Sequence, residues 1–179
     1  GLTAIVMPDI SGSLDGHIID AFSPTTIGGT TLAQVAAMSE SIATIAIGEQ
    51  MRESAIALEE ITGVPYVVFD RLTGLQASDR FVAYLSWLSD KPVPEKYRRQ
   101  RSQVQDAMLD GHFACGGKKV AIGAEPDLLW ALANLFFEMG CAITCAVTTT
   151  NSTLLESLPT EKVLIGYLED LESGAKDCQ

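Results

Sequence analysis

The sequence predicts an α/β chain of two Rossmann-like units, each a parallel sheet flanked by helices. Three observations carry that expectation. Short apolar runs of strand length alternate with stretches whose apolar residues recur at helical spacing. The segment 118–150, KKVAIGAEPDLLWALANLFFEMGCAITCAVTTT, reads as strand, tight turn, buried helix and second strand, the order of a parallel βαβ unit. Lys91-Pro92-Val93-Pro94 interrupts the pattern and places a linker at 91–94, between an expected domain at 1–91 and another at 95–179.

In chain order, Leu2 to Met7 is an apolar run closed by Pro8 and Asp9, as a strand would be. The chain opens inside that run without a lead-in and its pattern decays after Asp170, so a fragment is expected at both ends. The polar stretch from Ser11 to Thr30 is longer than most connections and is a candidate binding or interface loop. A helix is expected from Thr31 to Met38 and a short buried strand from Ala43 to Ile47. An amphipathic helix follows, with Met51, Ala55, Leu58 and Ile61 on one face and Gly63 as its stop, then a strand from Pro65 to Phe69. Ser78 is expected to cap a helix carrying Phe81, Val82, Leu85 and Leu88. The next helix, from Glu95 to about Asp110, sets Tyr97, Val104 and Met108 against a face bearing Arg98, Arg99 and Arg101. Beyond the strand at Lys118 come a helix stopped by Gly140, a strand to Val147, a short helix from Ser152 to Ser157 and a strand from Val163 to Tyr167.

The turn of the βαβ unit, Gly123-Ala124-Glu125-Pro126-Asp127, is ill suited to a nucleotide. A dinucleotide fingerprint uses several glycines so that the backbone approaches a pyrophosphate at a helix N-terminus. Here there is one glycine, Pro126 removes an N–H, and two carboxylates stand where they repel phosphate. The same residues start a helix well, with proline in the first turn and acids against the macrodipole.

Composition excludes several classes. With 47% hydrophobic residues the chain is a folded one, and its formal net charge of −11 opposes binding to nucleic acid or to an anionic membrane surface. No stretch approaches the roughly 20 apolar residues of a membrane span, and no signal peptide is recognisable. The cytoplasm is the expected compartment.

The chemistry-bearing residues form no self-contained site. Cys141 and Cys145 flank a strand, which holds them about 13 Å apart, too far to share a metal ion. Cys115 precedes Gly116-Gly117 and Cys178 lies in a polar tail, so the four cysteines read as ordinary thiols. His17 and His112 have no ligand-spaced partners, and His112 suits the end of a helix. Ser11-Gly12-Ser13 is either a connecting turn or an anion nest. Arg98-Arg99-Gln100-Arg101 concentrates positive charge, as a solvated helix face or toward an anionic partner. Glu125 and Asp127 are explained by helix capping, with no nucleophile and base beside them. No catalytic, cofactor-binding or metal residue is therefore assigned.

Taken together, the strings PDISGSLDGHI, GGTTLAQV, AIGEQMR, TGVPYVVFDRLTGL, KYRRQRSQVQDAMLDGHF, GGKKVAIGAEPDLL, AVTTT and YLEDLE resemble the nitrogenase component 1 family, and within it the β-type scaffold subunits of iron-molybdenum cofactor assembly. The resemblance runs in order along essentially the whole chain. It implies three similar α/β domains per full subunit, of which this chain would hold much of the second and part of the third. It further implies a heterotetramer with a NifE-type α subunit, served by cofactor-delivery proteins, on which an iron-sulfur precursor matures to FeMo-cofactor. Cluster cysteines of the β-type subunit would lie in an absent first domain. The cofactor cysteine of α-type relatives would fall near Asp90, where this chain has none, so the resemblance makes none of its four cysteines a ligand. The fragment is expected to bind no cluster and to self-associate through uncovered sheet edge. Two other readings stay open: the β subunit of nitrogenase component 1 itself, and a cytosolic nucleotide-dependent oxidoreductase with a modified turn.

Overall fold

The structure, a computed structural model, describes residues 1–14, 21–22, 24, 28–176 and 178. The chain forms two compact units, residues 1–45 with 53–67 and residues 46–52 with 68–179. The boundary expected at 91–94 does not divide these units and stays a proposal. His17 and half of the 11–30 loop lie outside the described residues.

The first unit begins with a helical turn, α1 (Ser11–Leu14), at the serine pair read as a turn or nest. Next comes α2 (Leu32–Ala37), started by a capping box: Thr31 Oγ1 accepts from the Gln34 N–H at 3.2 Å while Gln34 Oε1 accepts from the Thr31 N–H at 2.8 Å. Strand β1 (Thr44–Ile47), helix α3 (Arg52–Thr62) and strand β2 (Tyr66–Phe69) follow, close to their expected places, with residues 46–52 and 68–69 of this stretch belonging to the second unit. The flanking bonds, Thr44 N–H to Pro65 O and Gly48 N–H to Phe69 O, advance in step as in a parallel pair. The strand expected at Leu2 to Met7 does not form. A strand needs a neighbour to accept its ladder, and none of the described strands pairs with this run; Thr30 Oγ1 instead donates to Val6 O at 2.5 Å. The apolar face of α3 is also narrower than expected: Ala55 is buried and Leu58 half-buried, but Met51 and Ile61 are exposed.

The second unit carries α4 (Leu75–Ser89), α5 (Glu95–Cys115), β3 (Lys119–Gly123), α6 (Pro126–Glu138), β4 (Ala142–Thr148), a 3₁₀ turn at Thr153–Ser157, β5 (Val163–Ile165) and α7 (Leu168–Gly174). Helix α4 starts ahead of Ser78, whose hydroxyl bonds back to Gly74 O at 2.9 Å from inside the helix. Its end is set by Asp90 in the left-handed region and by Pro92 beyond it. Helix α5 outruns its expected end at Asp110 by more than a turn, closing at the Gly116-Gly117 turn.

Strands β3, β4 and β5 form a parallel sheet in that order, with an irregularity that leaves Thr144 as an extra residue in β4. Because β4 is central, its side chains from Cys145 to Thr148 are all buried, the run expected when both faces of a parallel sheet are covered. Against one face lies α6, with Leu129 and Ala133 packed on Ile122, Ile143 and Ala146. The alternate residues meet α7: a Cβ on Gly123 would lie 2.7 Å from Leu171, and one on Gly174 would lie 2.5 Å from the Cys145 thiol. The decay expected after Asp170 is thus a correction, since the short α7, capped by Asp170 Oδ2 on the Tyr167 N–H at 2.9 Å, supplies the second layer.

Two glycines give a controlled comparison. Gly140 (φ +83°) stops α6 with its open side against the His112 ring, whereas Gly117 (φ +75°) has nothing within 4 Å of where a Cβ would sit. Gly117→Ala is expected to cost about 1 kcal/mol for its left-handed backbone, and Gly140→Ala about 2–4 kcal/mol because ring and backbone must also shift. Chemical denaturation of the two variants measures the difference, and equal losses would show that His112 does not crowd the turn.

Candidate functional site

Ligands of open α/β sheets sit outside the carboxyl ends of the strands, and a cavity of about 460 Å³ lies there, bounded by the ends of β3, β4 and β5 and the first turn of α7. Its walls mix apolar groups (Val147, Leu168 and Leu171) with Glu125, Thr148, Thr149, Tyr167 and Glu169. Three backbone donors at its rim are already used. The Ala124 N–H donates to Val147 O at 3.1 Å, the Gly166 N–H to Thr148 O at 2.9 Å, and the Tyr167 N–H to Asp170. Pro126 contributes none. The Glu125 carboxylate accepts from Thr149 Oγ1 at 3.2 Å and from Thr150 Oγ1 at 3.4 Å, which fixes negative charge at the mouth. Asp127, in the first turn of α6, is pushed above its ordinary value by burial and by the Glu49 carboxylate. The cavity is therefore an apolar, acid-rimmed recess whose Glu125 carboxylate opposes a phosphate.

The residues singled out in the sequence are not brought together. Cys141 and Cys145 are buried, Cys115 and Cys178 are half-buried, and all are free thiols. Among the described residues no group of three or more His, Cys, Asp or Glu side chains is arranged to hold a metal ion. His112 stands exposed in the last turn of α5, as expected, and its Nδ1 lies 3.0 Å from Met139 O in the α6 stop. Arg101 turns from its neighbours to form a bidentate pair with Asp79 of α4, both bonds 2.7 Å, and its hydrogen bond holds Asp79 below its ordinary value. Arg98 and Arg99 are exposed.

Sequence reasoning missed a buried charged cluster between the β2–α4 turn and α6. Arg71 is 8% exposed; its Nη1 donates to Asp70 Oδ2 at 2.7 Å, and its guanidinium lies 5.6 Å from the centre of the Trp130 ring. Trp130 Nε1–H donates to the same Asp70 oxygen at 2.6 Å, and Arg80 donates to the other at 2.5 Å. Glu138, equally buried, accepts from the Leu75 N–H at 2.9 Å and places its second oxygen 3.7 Å from Arg71. So Glu138, on α6, supplies the N-terminal cap of α4. Separations of 60 and 63 residues hide these partners from any periodicity; the one available signal is charge at Asp70 and Arg71 directly after an apolar strand.

Similarity to known proteins agrees with this architecture. The family described as nitrogenase component 1 type oxidoreductase matches residues 6–179. The nitrogenase iron-molybdenum cofactor biosynthesis protein NifN of Bradyrhizobium diazoefficiens is 54% identical over 177 residues, covering 99% of this chain and 38% of that protein. Its counterpart from Nostoc is 51% identical over 175 residues, covering 98% and 39%. The solved structure of nitrogenase Cp1 at pH 6.5 superposes with a TM-score of 0.84 at 28% identity, over 96% of this chain and 40% of that one. The chain thus spans about two fifths of the length of these relatives. No described helix is long and apolar enough to cross a membrane.

Burial raises the Asp70 carboxyl, but hydrogen bonds from Trp130 and Arg80 and the charges of Arg80 and Arg71 outweigh it and hold the group below its ordinary value. A carboxylate depressed in this way stabilises the fold above about pH 3.9, the unfolded value, and the contribution is lost as pH falls through the folded value. Asp70→Asn is expected to cost about 1–3 kcal/mol at pH 7 and to flatten the acid limb of stability measured by urea melts from neutral pH to pH 3. The same acid limb in both proteins would sink the assignment. Glu138→Ala is expected to cost about 1–3 kcal/mol by leaving the first N–H of α4 uncapped, and Glu138→Gln less, because its amide oxygen still caps α4; equal losses in thermal melts would refute the cap.

A parallel sheet covered by α6 and α7, a phosphate turn occupied by its own hydrogen bonds and a family match along nearly the whole chain converge: this chain belongs to the nitrogenase component 1 type oxidoreductase family.

Proposed function

We propose that this chain is part of a scaffold subunit on which the iron-molybdenum cofactor of nitrogenase is assembled and matured. The observation that carries the reading is the gradient of similarity: 49–54% identity to proteins described as NifN, against 28% to a solved nitrogenase structure. Identity at that level along nearly the full length of this chain favours the assembly subunit over the catalytic β subunit. The nucleotide-dependent oxidoreductase is disfavoured by the occupied donors and fixed negative charge of the Glu125-Pro126-Asp127 turn.

In this reading the chain comprises parts of two α/β domains, 1–91 and 95–179, joined by the linker at 91–94. It works by docking, in the cytoplasm, in a heterotetramer with a NifE-type α subunit that receives cofactor-delivery proteins. The iron-sulfur cluster and the FeMo-cofactor precursor are the cargo of the whole complex. The acid-rimmed recess at the strand ends serves as a packing surface toward those neighbouring parts.

Co-production of the full-length protein with a NifE-type subunit tests the reading. The expected result is a co-purifying complex with an iron-sulfur chromophore that restores nitrogenase activity to extracts lacking the cofactor; a complex without chromophore and without rescue would overturn it.

A further inference from the structure

We propose that Cys115 and Cys141 form a redox-active dithiol that closes to a disulfide, stapling the end of α5 to the entry of β4. The two thiols belong to turns that the backbone fixes side by side. The Gly117 N–H donates to Gly140 O at 2.8 Å, the Lys118 N–H to Cys115 O at 3.0 Å, and the Ala142 N–H to Lys118 O at 2.8 Å. Cys141 Sγ lies 3.3 Å from the Cys115 carbonyl oxygen, and Cys115 packs against the apolar cluster that contains Cys141. A disulfide requires side chains that already face each other on backbones at short range. The Cys141 thiol already stands at that short range from the Cys115 backbone.

The exposures of the two thiols set an order of reaction. Cys115 is half-buried and reachable, whereas Cys141 is buried. Burial also raises the Cys141 thiol, with Cys115 contributing as a neighbouring charge and hydrogen-bond partner, so Cys141 is the poorer first nucleophile. With glutathione disulfide as oxidant, the Cys115 thiolate, its proton given to solvent, attacks one glutathione sulfur. The glutathione S–S bond breaks and one glutathione thiolate leaves and is protonated. Cys141 then gives its proton to solvent and attacks Cys115 Sγ in the mixed disulfide; the second glutathione leaves. Two protein thiols are oxidised to one disulfide while one glutathione disulfide is reduced to two thiols. The other cysteines act as internal controls, since Cys145 is sealed beneath α7 and Cys178 lies by Thr144 at 3.5 Å.

The purified protein is equilibrated across glutathione buffers from fully reduced to fully oxidised, quenched in acid, alkylated and digested. The expected result is a cross-linked peptide joining Cys115 to Cys141, with two of the four thiols lost to alkylation at the oxidising end and a melting temperature raised by about 5 °C. Cys115→Ser and Cys141→Ser should each abolish the cross-link, while Cys178→Ser leaves it intact. The peptide map of the unsubstituted protein decides the matter even if a variant fails to fold. Four alkylated thiols at the most oxidising ratio, a stable glutathione adduct on Cys115, or a cross-link to Cys145 or Cys178 would overturn the proposal.

Discussion

The burial of β4 on both faces is the constraint from which the rest of the second unit follows. A strand with helices above and below has no solvent face on which to place polar side chains, and its run from Cys145 to Thr148 is accordingly closed to water. That requirement fixes α6 on one side and α7 on the other, and it makes the two ends of the sheet chemically different. At the carboxyl end, the chain turns outward through Glu125, Thr149 and Tyr167 to make the acid-rimmed recess. At the amino end, the turns at Cys115–Lys118 and Gly140–Cys141 are pinned together by backbone hydrogen bonds, and the thiol pair results from that pinning.

The charged cluster around Arg71 and Glu138 connects this sheet to α4. Burying an arginine and a glutamate is expensive, and the expense is offset only where each charge finds donors or acceptors of good geometry. Arg71 meets Asp70 directly and the Trp130 face obliquely, while Glu138 spends one oxygen on the exposed first N–H of α4. The cap of α4 is thus supplied through tertiary structure by α6. That explains why no residue in the local sequence announces where α4 begins.

Element types and order were legible wherever the determinants are local. Thr31 with Gln34, Gly63, the Pro92–Pro94 break, Pro126 in the first turn of α6 and Gly140 as its stop are each written within a few residues of the boundary they set. The misses share one cause. The beginning of α4 depends on Glu138, and the strand expected at Leu2 to Met7 finds no pairing partner among the described strands. The second layer over the sheet is α7, whose few residues carry too weak a periodic signal to be read in isolation. The candidate recess was legible only in part: the unsuitability of its turn for phosphate follows from Gly123 to Asp127, but the hydroxyls that hold Glu125 come from the end of another strand.

The acidic turn also bears on what the carboxyl edge of the sheet can bind. A Rossmann-like unit that keeps a glycine-rich turn places positive potential and free N–H groups at the carboxyl edge of its sheet, and any phosphorylated metabolite then competes for that edge. Bonding several of those donors to the protein's own carbonyls and carboxylates, as Val147, Thr148 and Asp170 do here, and setting the Glu125 carboxylate beside them opposes such binding. It leaves a recess whose apolar walls gain most from contact with another protein surface. The Glu125-Pro126-Asp127 turn, unsuited to a nucleotide, is well suited to starting a helix that must stay in place.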